Sequence, residues 1–244
     1  MAELTFAVVD ASSFDAIPAP AQPGARCQTC DYWERLDGSR SAAEADARVR
    51  NDLKRARLLA GEKLAGAYAM LAHRDGEPVG YAQFGPMSVY PRARSIRERY
   101  PQLPDSPAPW VVTCLQVIES GGDDRLAVGA ALLEALGDEL DRRGIGAVEA
   151  YPEGVADAWL PSPGPASLYA QAGFERVAGD DRYPVYRREL TGGEGVGWTD
   201  LLERTRPPAD EGDDWPLPNP GRASEDDPFR LPDKPKRTNP FGDD

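Results

Sequence analysis

Cysteine is scarce: the 244 residues hold three, Cys27, Cys30 and Cys114. An odd, sparse set builds no disulfide framework and reads as the reduced thiols of a cytoplasmic protein. Histidine occurs once, at His73, which excludes a histidine-rich metal centre. Lysine occurs only at positions 54, 63, 234 and 236, and 28 Lys and Arg stand against 41 Asp and Glu, a net charge of -13. This deficit argues against nucleic acid as a main partner, because neutralising phosphates requires a clustered surplus of cations. No run of 18 apolar residues exists to span a bilayer, and the opening MAELTFAVVD has neither a basic flank nor a long apolar stretch to act as a signal peptide. Few lysines beside 24 glycines and 24 prolines suit GC-rich coding, hence a bacterial source.

Composition changes after Leu190. Residues 191–244 carry nine prolines, seven glycines and 13 acidic side chains but only 11 apolar ones. So little apolar surface cannot offset the entropy of ordering the chain, and a disordered acidic tail is expected there. Trp198, Leu201, Leu202, Trp215 and Phe229 leave two readings open for it, a solubilising tail or a set of motifs for a protein partner. The body, residues 1–190, remains acidic at -7.

Within the body, apolar β-branched residues from Leu4 to Val9 suit a strand. Ser41 and Glu44 form an S-x-x-E capping box. Val49, Leu53, Ala56 and Ala60 then recur at helical spacing up to Gly61, with Arg48, Arg50, Lys54, Arg55 and Arg57 assigned to the solvent face. Asp75-Gly76 marks the tight turn of a hairpin whose strands run from Ala67 and from Val79. A proline-rich connection, 86–109, leads to the apolar strand WVVTCLQV at 110–117. A helix is expected from Leu126 to a stop at Gly144, followed by a strand at 147–150, a loop containing Trp159, a helix at 166–172 and strands at 174–177 and 185–190. The order predicts an α/β or α+β layered domain with mixed strand directions.

The informative segment is VVTCLQVIESGGDDRLAVGAALLEAL at 111–136, a strand that turns into a helix N-terminus. Unpaired N–H groups and the positive end of the helix dipole suit such a place to a diphosphate. Together with Leu115-Gln116-Val117, Gly129, the pair Leu132-Leu133 and the later Leu168-Tyr169-Ala170-Gln171-Ala172-Gly173-Phe174, it resembles the GNAT superfamily of acetyl-CoA-dependent N-acetyltransferases. The resemblance covers the body and departs from the family's Q/R-x-x-G-x-G/A turn at Asp124 and Ala127.

It implies a mixed, mainly antiparallel central sheet flanked by helices, with acetyl-CoA as co-substrate and no metal. It implies that Leu115, Gln116 and Val117 offer backbone groups to the pantetheine arm where their strand parts from its neighbour. Arg125 and the N–H groups of Leu126, Ala127, Val128, Gly129 and Ala130 would hold the diphosphate. Tyr169 matches the tyrosine that protonates the leaving thiolate, with a packed helix tyrosine as the alternative. No carboxylate stands near Val112, where some members carry a base, so Glu119 and Glu149 are the candidates beside a plain structural role. The acceptor would be a small-molecule or peptide amine, and a homodimer is compatible. A non-catalytic module that senses an acyl-CoA or holds a protein is the other class of function, favoured by Asp124 and Ala127.

Two features stand outside the resemblance. Cys27 and Cys30 form a lone C-x-x-C; a zinc would need both Cys114 and His73 as well, so packing is the leading reading, ahead of metal or thiol redox chemistry. Arg92, Arg94, Arg97 and Arg99 form a basic cluster, read as solvated or as an attractor for carboxylate or phosphate. For the tail, limited proteolysis should cut first just beyond Leu190, and deleting 191–244 should leave the body's melting temperature unchanged; a fall of several degrees would make the tail part of the fold.

Overall fold

The Asp75-Gly76 turn forms as its residue types require, both with positive φ (52° and 86°), and joins β2 (Ala69–Arg74) to β3 (Glu77–Pro86). This hairpin lies within a seven-stranded sheet in a computed structural model that describes residues 3–20, 26–36, 47–118, 122–154 and 163–191. The remaining strands are β1 (Leu4–Val8), β4 (Trp110–Val117), β5 (Ala147–Ala150), β6 (Glu175–Gly179) and β7 (Pro184–Glu189), in the spatial order β1-β2-β3-β4-β5-β7-β6. All neighbours are antiparallel except β4 and β5. The helices are α1 (Ala47–Ala65), α2 (Pro91–Arg97), α3 (Gly122–Arg142) and α4 (Ala166–Gln171). All described residues belong to one unit, Met1–Leu201. The capping pair Ser41 and Glu44, the loop around Trp159 and the tail beyond Thr191 lie outside the described residues. Among the described residues no helix is long and apolar enough to cross a membrane.

The two faces of the sheet are distinguished by β3. A Cβ on Gly80 would approach Leu132 of α3 to 3.3 Å, so this face carries α3, whose Leu132, Leu133, Leu136 and Leu140 are fully buried. Gln83, three residues on and therefore on the opposite face, donates to Glu34 at 3.0 Å. A second, smaller core lies under the 86–109 connection, where Trp33, Tyr90, Ala93, Leu103, Val111, Tyr151 and Val185 pack together. That connection contains α2, which the count of prolines concealed; Pro91 stands at its first turn, where a missing N–H costs nothing.

Helix α1 departs from the sequence reading in two ways. It runs on to Ala65, and Gly61 lies inside it because a Cβ there would come within 2.1 Å of the Tyr68 ring; the stop is Gly66, with φ 79°. Its inward face is Lys54, Leu58 and Gly61, while Val49 (51%) and Leu53 (62%), expected inside, are exposed. The reason is electrostatic. Lys54 Nζ lies 2.8 Å from a Glu34 carboxylate oxygen and 2.8 Å from the Cys30 carbonyl, with both side chains at most 4% exposed. Hydrophobic periodicity assigns a lysine outward and does not see a buried partner 20 residues away.

Burial pushes the Glu34 carboxyl up, but Lys54, Gln83 and Arg57 more than reverse this and hold it below the ordinary carboxylate range. A depressed folded-state pKa gives stability that is present above the unfolded value and lost as pH falls through the folded one. The wild-type melting temperature should therefore fall through the acid range more steeply than that of Glu34→Gln/Lys54→Met, in which nothing is left to protonate; parallel profiles would show that the pair contributes no pH-dependent stability. Lys54→Met alone, which removes the closest and most buried cation from the carboxylate, should cost about 3–5 kcal/mol.

Candidate active site

The site is built on β4, every residue of which is buried. On one side it pairs with β3 over its whole length, with a register shift between Gln83 and Phe84 opposite Cys114 and Val112. Thr113 fills the irregularity and donates through its hydroxyl to the Gln83 carbonyl at 3.2 Å. On the other side β4 meets β5 only at Trp110↔Val148, Val111↔Glu149 and Val112↔Ala150. Residues 113–117 have no β5 partner, so the two strands part beyond Val112. Leu115, Gln116 and Val117 lie in the parted stretch.

At the far end of that stretch, Arg125 Nε donates to the Val117 carbonyl at 2.9 Å, which ties the first turn of α3 to the end of β4. Asp124 receives both guanidinium nitrogens of Arg74, at 2.8 and 3.1 Å. This is a bidentate pair reaching from the end of β2, and it neutralises the acid that departs from the Q/R pattern. Nothing in the spacing of Arg74 announces this, because the contact spans 50 residues. The sequence reading placed the helix start at Leu126, whereas α3 begins at Gly122. The N–H groups of Leu126, Ala127, Val128, Gly129 and Ala130 thus lie one turn inside the helix, where such groups bond to carbonyls four residues earlier. Helix geometry gives the N–H groups of residues 122–124 no acceptor within the helix.

Tyr169 is carried by α4. Gly164 adopts φ 92° and presses so closely on β4 that a Cβ would stand 3.0 Å from Leu115 Cδ2. The Tyr169 hydroxyl donates to the carbonyl of the adjacent Pro163, which places it beside the parted strand. Its ring is fully buried, edge-on to Phe174 at 5.2 Å and stacked on Tyr186 at 5.6 Å. Burial raises the phenol well above its ordinary range, so it carries its proton at neutral pH.

The two candidate bases fare differently. Glu119 lies outside the described residues. Glu149 is fully buried on β5 at the closed end of the β4–β5 pair, where its oxygens accept from Arg187 at 2.7 Å, from Arg97 at 3.1 Å and from the Tyr151 hydroxyl. Three donors commit this carboxylate to a structural cluster. The cluster also gathers the basic residues of the 86–109 connection. Arg97 bonds Asp105 at 2.7 Å and the Pro104 carbonyl at 2.6 Å, and Arg187 reaches the carbonyls of Pro104 and Pro107, each at 3.3 Å. Arg92 lies 3.9 Å over the Tyr32 ring and donates to the Tyr32 carbonyl at 2.8 Å, while Arg94 pairs with Glu98. Arg92 and Arg97 thus fasten the chain to itself through specific partners that the reading as solvated charge did not foresee, whereas Arg94 and Arg99 are exposed, as that reading has them.

The parted parallel pair within an otherwise antiparallel sheet, entered by a helix N-terminus, is the layout that the sequence resemblance implies. The fold is GNAT-like. No protein-family model and no curated protein matches the chain. Among solved structures, a proposed GNAT-family acetyltransferase from Desulfovibrio desulfuricans is 19% identical, with 77% of this chain and 99% of that chain covered and a TM-score of 0.41. A proposed acetyltransferase from Salmonella typhimurium, solved with acetyl-CoA, is 16% identical over 80% of this chain and 96% of its own, with a TM-score of 0.43. The ribosomal-protein-S18-alanine N-acetyltransferase from Escherichia coli is 15% identical over 80% and 100%, with a TM-score of 0.39.

Arg187→Met should lower stability by about 3–5 kcal/mol, because it removes the closest cation from a carboxylate that has no access to water. Adding Glu149→Met to it should recover part of the loss, and thermal melts of the three proteins would measure this. Equal stability of Arg187→Met and wild type would mean that Arg97 and Tyr151 suffice to hold the charge.

Proposed function

We propose that the chain is an N-acetyltransferase that moves an acetyl group from acetyl-CoA to a primary amine by direct attack in a ternary complex. The reading is carried by the parting of β4 from β5 after Val112 and Ala150, in a buried strand that leads toward a helix N-terminus. Backbone groups of Leu115 and the Val117 N–H would bind the pantetheine arm in β fashion from the side of β4 away from β3, with Gln116 between them facing β3, the Val117 carbonyl being used by Arg125. Arg125 and N–H groups at the start of α3 would hold the diphosphate, with Arg74 cancelling the repulsion from Asp124. Tyr169, protonated and beside Leu115, would turn from the Pro163 carbonyl to give its proton to the leaving thiolate. With Glu149 committed elsewhere, the amine would lose its proton to solvent before binding or to Glu119. The acceptor is a small-molecule or peptide amine.

A second reading is a GNAT-like module that binds an acyl-CoA without turnover. It is favoured by the satisfied hydroxyl of Tyr169 and the three donors on Glu149. Calorimetric titration with acetyl-CoA, followed by thiol release over a panel of amines, separates the two. Absence of binding in the millimolar range would remove the enzyme, and binding without thiol release would favour the sensor. If Tyr169 is the acid, Tyr169→Phe should lower turnover roughly 10- to 1000-fold while acetyl-CoA affinity stays constant. Undiminished turnover with a lowered melting temperature would return Tyr169 to a packing role.

A further inference from the structure

The apolar stripe that periodicity assigns to the core face of α1 points to solvent, and the proposed activity makes no use of it. Val49, Leu53, Ala56 and Ala60 recur at steps of four, three and four residues, the spacing of a coiled-coil seam. All four are exposed, and Leu64, one turn further on, is exposed at 84%. They lie on the side of the helix opposite the buried Lys54, Leu58 and Gly61. The Lys54–Glu34 ion pair therefore sets the rotation of α1 that sends the stripe outward. Helical geometry puts Asp52 and Leu59 along one flank of the stripe and Arg50, Arg57 and Leu64 along the other.

We propose that α1 is the interface of a homodimer, in which a second copy lays its own α1 parallel to the first about a two-fold axis running between them. The flanking residues select both the partner and its direction. In a parallel pair, a residue on one flank meets the residue five places later on the opposite flank of the other helix. Asp52 then meets Arg57 of the second copy, and Leu59 meets Leu64 of the second copy. One pair is complementary in charge and the other is apolar, and the two-fold forms each of them twice. An antiparallel pair would set Arg50 and Arg57 of the two copies against each other and leave Asp52 beside Leu59. Arg57 holds Glu34 at 3.2 Å while its side chain stays 40% exposed, so it reaches from the buried cluster to the outer flank. The seam is about two heptads long and alanine fills half of it. The area buried therefore falls at the low end for specific interfaces, below about 1,200 Å², which makes the dimer concentration-dependent rather than permanent.

The full-length chain, followed by sedimentation velocity and light scattering from low to high micromolar concentration, should pass from monomer to dimer. Leu53→Glu should stay monomeric throughout and melt with dilute wild type, because that side chain is 62% exposed. Asp52→Arg should weaken dimerisation roughly tenfold, since two symmetry-related attractions become repulsions. Ala56→Cys, oxidised at high concentration and digested, should give a cross-linked peptide joining position 56 of one copy to position 56 of the other, the symmetric contact of a parallel seam. Glu62→Cys, off the seam, should give none. A monomer at every concentration, a dimer that survives Leu53→Glu, or no cross-link at position 56 would each overturn the proposal. A monomer that binds anionic vesicles, or that dimerises only once residues 192–244 are removed, would overturn it in favour of another occupant of the stripe. The wild-type series and the cross-link decide even if Leu53→Glu fails to fold. No acyl-CoA enters the experiment, so its outcome is independent of the proposed acetyl transfer.

Discussion

Strand β5 reaches β4 through three residue pairs and then leaves it, and much of the molecule is arranged around that limited contact. A parallel pair that short contributes few ladder bonds, and its open end would widen further without support. The support comes from charge buried at the closed end. Glu149 sits opposite Val111 in the ladder, and Arg187, Arg97 and Tyr151 converge on it from β7, α2 and the residue after β5. Through the carbonyls of Pro104 and Pro107 the same two arginines anchor the 86–109 connection, so one carboxylate aligns the sheet and positions the second core above it.

A second buried carboxylate, Glu34, does similar work on the face opposite α3. It receives Lys54 from α1, Gln83 from β3 and Arg57, and so holds the 26–36 segment between helix and sheet. Burying a charge is favourable only when its partners replace the lost water, and in both clusters three donors do so. These interactions confer position more than net stability. An apolar contact could slide, whereas a desolvated ion pair has one acceptable geometry. The Arg74–Asp124 pair, more exposed, applies the same device where β2 meets the start of α3.

Much of the element order was legible in the chain. The Asp75-Gly76 turn, the unbroken apolar run of β4, the leucine face of α3 ending at Gly144 and the strands on either side of α4 follow from periodicity and turn chemistry, which act over a few residues. The errors have separate causes. The inward face of α1 was misread because Lys54 is neutralised by Glu34; α2 was hidden by prolines, although Pro91 begins it; and α3 starts at Gly122 rather than at Leu126. Within the candidate site, the place of Leu115, Gln116 and Val117 beyond the last β5 pair is what the family resemblance implied, not what local pattern gave. The commitment of Glu149 and the reach of Arg74 to Asp124 were not.

By itself, then, the amino-acid order determined which segments are strands and helices, where they turn, and that one buried strand leads into a helix N-terminus, since these depend on local backbone preference and on apolar spacing. Only the tertiary structure decided which charges go inside, that β4 and β5 separate after three pairs, and that the Tyr169 hydroxyl is held by the Pro163 carbonyl. The first two of those facts join residues remote in sequence. The free energy of a buried charge depends on the partner brought to it, and that partner is chosen by the packing of the whole sheet.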